Sequence, residues 1–294
     1  MRDETKKIGF IGAGKVGWSL GRHIKERGGP AYSVHGYYSR GVDAARGAAA
    51  FAGGQAFASA EELAAGCDLL LLTVTDGQIA DVWSDISAAL TVNRERPLCV
   101  GHCSGSLNSE VFGSGPSSCS FGSIHPLLAV HDRERGYENF AGASFTIEGG
   151  EAFTGLAKDL LSTLGNPFCM IDAGQKTLYH AASVMVSNLV CALAYIGSET
   201  LKTCGLEEKF AKNAWRSLFL ENAENIADVG PVHSLTGPVE RGDAATVAQH
   251  LDKLSGDDRD IYLLLSRRLI ESAQKKNPDR DYSELALLLG YEAK

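Results

Sequence analysis

The chain has 294 residues, 44% hydrophobic and 22% charged, the balance of a globular protein with its own core. Its 28 Lys and Arg against 36 Asp and Glu leave a net charge of −8, which excludes a general nucleic-acid binder needing a basic face. No apolar run of about 18 residues is read, so no membrane span is expected, and the polar start Met1–Lys7 carries no signal-peptide pattern. The seven cysteines (67, 99, 103, 119, 169, 191 and 204) are odd in number and form no C-x-x-C pair. Most lie in apolar segments, so reduced, buried thiols in a cytoplasmic protein are the expectation.

Short apolar runs alternate with helical stretches over the first ~170 residues, the pattern of a doubly wound, mainly parallel sheet covered by helices. Ile8–Ile11 reads as the first strand and Val16–Arg27 as the helix after it. Tyr32–Tyr38 is a strand, Asp43–Ala52 an alanine-rich helix, and Glu61–Leu63 opens a short one. Asp68–Val74, with four consecutive leucines, reads as a strand buried on both faces. Pro97–Val100, Ser120–His125, Ser144–Ile147 and Phe168–Ile171 are further strands. After Asp172 the pattern becomes helical throughout: Gln175–Cys204 as one helix, then Leu206–Val229, Ala244–Leu254 and Arg259–Lys275, with turns at Gly230-Pro231 and Gly237-Pro238. Two domains are expected, residues 1–172 and 173–294.

Gly12-Ala13-Gly14-Lys15-Val16-Gly17 fits G-x-G-x-x-G and stands where that pattern has meaning, between a strand and a helix. Gly12 permits the tight turn, Gly14 the approach of a pyrophosphate, and Gly17 close packing of helix on strand. The helix N-terminus offers free N–H groups to phosphates. Where NAD sites place an acidic residue at the end of the second strand, this chain has Ser39-Arg40. A hydroxyl and a guanidinium suit the 2′-phosphate of NADP(H).

Several blocks occur in a telling order: this turn, Thr73-Val74-Thr75-Asp76-Gly77-Gln78-Ile79, and Gly101-His102-Cys103-Ser104-Gly105-Ser106. Ser123-Ile124-His125-Pro126-Leu127, Lys176-Thr177-Leu178-Tyr179-His180-Ala181-Ala182 and Leu235–Asp243 complete the set. With them the chain resembles the Rossmann-like and DUF2520 domain-containing proteins, relatives of F420-dependent NADP oxidoreductase, pyrroline-5-carboxylate reductase and ketopantoate reductase. The resemblance implies an N-terminal Rossmann domain and a C-terminal all-helical domain of the 6-phosphogluconate dehydrogenase type that dimerises. It implies NADP-linked redox activity and names no substrate.

Ligands of doubly wound sheets bind beyond the carboxyl ends of the strands. Thr75 and Asp76 therefore meet the nicotinamide ribose, Asp76 caps the helix starting near Gln78, or both hold together. His102, Ser104 and His125 also follow strands and are candidates for chemistry or substrate contact. A metal site from Cys99, His102, Cys103 and His125 matches no ligand spacing, so no metal is expected. Lys176 and His180, four apart, project from one helix face. Related hydroxyacid dehydrogenases and ketopantoate reductases carry asparagine four residues after the lysine; here it is His180, with Asn188 two turns on. Either Lys176 or His180 is the expected general acid. Arg241 either binds a substrate carboxylate or pins helices together. The expected reaction is hydride transfer between NADPH and a carbonyl or imine of a small anionic substrate, ketopantoate reduction being the specific expectation. The departure at His180 leaves a second reading, an NADP(H)-binding sensor without turnover.

Overall fold

The computed structural model describes residues 5–87 and 97–292, so Met1–Glu4 of the polar N-terminus lie outside the described residues. The chain divides into two compact units, Met1–Ser187 and Asn188–Lys294.

The first unit is built on eight strands: β1 (Lys6–Ile11), β2 (Tyr32–Tyr38), β3 (Gln55–Ala56), β4 (Leu69–Leu72), β5 (Leu98–His102), β6 (Cys119–Pro126), β7 (Phe145–Gly149) and β8 (Phe168–Met170). They form one sheet in the order β3-β2-β1-β4-β5-β6-β7-β8. All neighbours are parallel except β6 and β7, where Ser123 pairs with Glu148 and His125 with Thr146. Strands β1 to β6 thus send their carboxyl ends to one edge, while β7 brings its amino end there. Helices α1 (Lys15–Arg27), α2 (Val42–Ala52), α3 (Ala60–Ala65), α4 (Ile79–Ser87), α5 (Gly136–Phe140) and α6 (Glu151–Leu164) cover the sheet, and α7 (Lys176–Val186) closes the unit.

The leucines of β4 show how the sheet is held. Leu69 and Leu71 point into one apolar cluster with Phe10, Tyr37, Phe145 and Phe153. Leu70 and Leu72 point into the other, with Leu63, Trp83 and Phe112. All four are buried, as a strand sandwiched between helical layers requires. Each contributes roughly 2 kcal/mol of burial.

The second unit contains α8 (Asn188–Thr203), α9 (Glu208–His233), α10 (Pro238–Arg241), α11 (Ala244–Lys253), α12 (Gly256–Lys276) and α13 (Ser283–Leu289). Its core joins Val239, Val247, Leu251, Ile270, Tyr282, Leu285 and Leu289, all from or beside α10 to α13. Helix α8 buries no residue and α9 only Ala211.

Two sequence expectations change, and one turn holds. The helix expected over Gln175–Cys204 breaks at Ser187, whose φ of −124° and ψ of −79° leave the helical range. The turn expected at Gly230-Pro231 holds: Gly230 takes φ +83° and ψ 163°, outside the helical range, and Pro231 has no N–H to donate, so α9 is two helical stretches joined there. Lastly, buried thiols were expected, yet Cys169, Cys191 and Cys204 are exposed; Ala173–Thr203, broken at Ser187, has mean hydropathy 1.6 and meets a membrane span by length and composition only.

Candidate active site

Two neighbouring constructions occupy the edge where the parallel strands end. The first is the glycine turn. Gly12 takes φ +101°, a region glycine enters without strain, and an added Cβ would meet the Thr73 backbone at 2.9 Å. Thr73, directly after β4, donates its hydroxyl to the Gly12 carbonyl at 2.6 Å and its N–H to Ile11 at 2.8 Å. Gly17 lies so close that a Cβ would stand 2.4 Å from Thr73 Oγ1 and 2.7 Å from the Gly12 carbonyl. A Cβ on Gly14 would meet only the Thr73 carbonyl at 3.7 Å, so the space before the helix stays open. Helix α1 starts after Gly14 with no side-chain cap and no acidic residue in its first turn. Its leading N–H groups and partial positive charge therefore await an anion from outside.

The turn fits a dinucleotide pyrophosphate: open backbone, uncapped amides and a packed Gly17 are what such a group needs. Ser39 and exposed Arg40 leave β2 at the same edge, since Ile11 pairs with Tyr38.

The second construction is a cluster of side chains. Asp76 does not cap a helix with its carboxylate; it accepts hydrogen bonds from Ser104 Oγ at 2.7 Å and Ser106 Oγ at 3.1 Å. Ser104 Oγ also receives the N–H groups of Ser106 and Leu107, so this hydroxyl organises the loop after β5. Thr75 is exposed, and its hydroxyl donates to Gln78.

Lys176, the first residue of α7, is 1% exposed. Its ammonium donates to the Ser104 carbonyl at 3.0 Å and to Ser123 Oγ at 2.5 Å. Ser123 in turn donates to Glu148 at 3.2 Å, and the buried Glu148 carboxylate also accepts the N–H and hydroxyl of Ser109. Burial pushes the Lys176 ammonium down to about 8, against the opposing pull of Glu148, Cys103 and Asp76.

His102 differs from its sequence reading as a candidate for chemistry. It is 0% exposed and both ring nitrogens are engaged. Nδ1 accepts from Ser104 N at 3.2 Å, and Nε2 therefore donates to the Asn108 carbonyl at 3.2 Å. Burial, then the charge of Lys176, lowers it to about 4 despite the bond to Asn108. A ring so enclosed positions the loop and has no nitrogen left for a ligand.

His125, half-buried at the end of β6, is bonded through Nδ1 to the Tyr179 hydroxyl at 2.8 Å, and Thr146 donates to that hydroxyl at 3.2 Å. Burial first, then Lys176 and His180, lowers His125 to about 4. His180 stands edge-on to it, ring centroids 6.0 Å apart. Both rings lie against Gly105, where a Cβ would stand 2.6 Å from His180 Nδ1 and 2.8 Å from His125 Nε2. Lys176, His180, His125, Ser104 and Asp76 thus come together. Asn188 and Arg241 belong to the second unit, where both are exposed. Asp243 there caps α11 by accepting from Thr246 N at 3.0 Å.

Sequence reasoning named Thr73, Ser123 and Tyr179 only inside the motif blocks, with no role of their own, and did not name Thr146 or Glu148. One signal was available: Ser123 and His125, like Thr146 and Glu148, are polar residues two apart in otherwise apolar strands, hence on one face. Among the described residues no group of three or more His, Cys, Asp or Glu is placed to hold a metal ion.

Residues 7–93 match the family described as NADP oxidoreductase coenzyme F420-dependent, and residues 143–269 match a domain of unknown function, DUF2520. No curated protein matches the chain. A protein of Thermotoga maritima is similar at 28% identity and TM-score 0.71, over 92% of this chain and 99% of that one. A candidate NADP oxidoreductase of Bacteroides fragilis is similar at 23% identity and TM-score 0.68, over 91% and 99%. Pyrroline carboxylate reductase of Plasmodium falciparum, solved with NADP bound, shares 14% identity and TM-score 0.54, over 94% and 98%. The last two likenesses establish the fold, a mostly parallel sheet with a helical C-terminal region.

Proposed function

We propose that this chain, which carries both the F420-dependent NADP oxidoreductase coenzyme segment and DUF2520, is an NADP(H)-dependent oxidoreductase of small carbonyl or imine compounds. The observation that carries the reading is the uncapped start of α1 behind an open Gly14, with no acidic residue in its first turn. The pyrophosphate is assigned to the backbone of Gly12, Ala13, Gly14, Lys15, Val16 and Gly17, and the 2′-phosphate to Ser39 and Arg40. When bound, the nicotinamide supplies the hydride.

The substrate side is assigned to His125 and His180, which lie against Gly105. Thr75 and Asp76 border that side through the Asp76–Ser104 bond. Lys176 is assigned an electrostatic role: a buried cation behind Ser104 and Ser123 that favours an anionic or carbonyl substrate. His180 takes the proton-transfer role, because Lys176 is 1% exposed and two of its three N–H donors are already engaged. Substrates are sought among 2-keto acids, ketopantoate included, and cyclic imines.

Domain limits near 172, a cytoplasmic setting and a homodimer through the helical part belong to the same reading. Exposed apolar side chains on α8 and α9, among them Leu193, Tyr195, Phe210 and Leu218, favour a second copy as their cover. Sedimentation of the detergent-free chain is expected to give a dimer; recovery only with membranes would overturn that assignment.

The test of the main reading is fluorescence titration with NADPH and NADH, followed by NADPH oxidation across the substrate panel. Tighter binding of NADPH with turnover of at least one compound is expected. Tight binding with no turnover would instead support the sensor.

A further inference from the structure

The chemistry of the Gly105 cluster depends on which nitrogen of His125 carries its proton, and the hydrogen bonds around Tyr179 decide this. Tyr179 has one hydroxyl proton. Thr146 Oγ1 donates to the Tyr179 oxygen, which leaves the tyrosine's own proton for its other close neighbour, His125 Nδ1. A nitrogen that accepts a proton in a hydrogen bond is unprotonated in the neutral ring, so the ring proton sits on Nε2. Among the described residues Nε2 has no protein partner, and it lies beside His180, 2.8 Å from where a Cβ on Gly105 would stand.

A second observation marks the same place as a ligand site. His180 Nδ1 is one of only two buried side-chain polar atoms without a partner among the described residues, the other being Trp18 Nε1. Leaving a buried polar atom unpartnered is costly, and a ligand supplying a partner removes that cost. Gly105 keeps the two rings together there, because any side chain at 105 would displace both.

We propose that Tyr179, backed by Thr146, is a positioning residue that holds His125 in its neutral Nε2–H form. His125 is thereby the hydrogen-bond donor to the carbonyl oxygen or imine nitrogen of the substrate. This rests on the proposed function for its ligand, but not for its tautomer. A neutral imidazole serves as an electrophile in this way where its charged form is suppressed by its surroundings. Burial and the Lys176 and His180 charges suppress it here, Asp76 alone opposing them with His102 adding to the suppression.

The test is nitrogen NMR of the full chain labelled in histidine, with His125 assigned from a His125→Gln variant and spectra taken with and without NADPH. At pH 7 the wild type is expected to show His125 neutral and protonated on Nε2. Tyr179→Phe is expected to average the two tautomers, and Thr146→Val to do so in part. Gly105→Ala should shift the signals of both His125 and His180. A proton on Nδ1, a charged ring at pH 7, or an unchanged tautomer in Tyr179→Phe would each overturn the proposal. If Tyr179→Phe does not fold, the wild-type tautomer and Thr146→Val decide it. Failure to bind NADPH would sink the proposed function and leave this result readable.

Discussion

The glycine turn and the histidine–lysine cluster share one sheet edge but are built from different materials. The turn works with backbone: open amides, one positive φ and glycines where a Cβ would collide. The cluster works with side chains drawn from β5, β6, β7 and α7, several of them buried. A backbone site is insensitive to pH and intolerant of added carbon. A buried side-chain site tolerates small changes of shape but is sensitive to charge. The difference can be broken experimentally on either side.

Acid is expected to have the largest effect, on the cluster and not on the turn, which holds no histidine or carboxylate; burial also lowers His23 and His35, which add to the same acid arm. His102 and His125 are lowered from 6.5 to about 4 in the folded chain, so between these values the unfolded chain binds more protons. Stability therefore rises with pH across that window, is fully present above 6.5, and is lost as pH falls towards 4. For the enclosed His102 alone the loss is roughly 3 kcal/mol. Urea unfolding between pH 4 and 7 measures it, and His102→Asn should flatten the acid arm; an unchanged slope would refute the neutral, buried ring.

A comparable loss of roughly 3–5 kcal/mol is expected for Lys176→Ala, which strands the buried Glu148 carboxylate without its cation. Adding Glu148→Gln should recover part of it. An additive double variant would show that the two are not coupled.

Gly17→Ala addresses the turn alone. Its Cβ must push Thr73 Oγ1 or the Gly12 carbonyl aside, so NADPH affinity should fall about 100-fold, near 3 kcal/mol, with the His125 and His180 signals unchanged. Calorimetric titration checks it, and near-wild-type affinity would remove the turn from the cofactor site. The smallest effect is Arg40→Ala, expected to weaken NADPH about 10-fold while sparing NADH. Equal loss for both cofactors would dissociate Arg40 from the 2′-phosphate.

The same contrast explains what could be read in the sequence. The glycine turn is contiguous, and its meaning comes from a strand before it and a helix after it, both local patterns. The leucines of β4 likewise announced a strand buried on both faces. The cluster is assembled by pairings across long chain separations: Lys176 to Ser104 spans 72 residues and Tyr179 to His125 spans 54. No local pattern ties Glu148 to Lys176, so an invisible partner turned an expected cleft lysine into a buried cation. Helix α6 escaped notice although Phe153, Ala157, Leu160, Leu161 and Leu164 recur at helical spacing, because no capping side chain marks its start after Gly150. The break at Ser187 was unreadable for a similar reason, since neither glycine nor proline stands there.

The antiparallel pairing of β6 and β7 has one more consequence, for mutational tolerance. Thr146 and Glu148 share a strand face and oppose His125 and Ser123. One end of that short ladder anchors Tyr179 and the other anchors Lys176. A deletion of one residue that shifted β7 by a single step would turn both side chains to the opposite face of the sheet. The connection from Leu127 to Ser144 is itself tied to the core, by buried Phe140 and Ala143 and by the Ser19–Arg133 bond, and inside β7 no slippage is permitted. Insertions scanned along this stretch should be least tolerated inside β7.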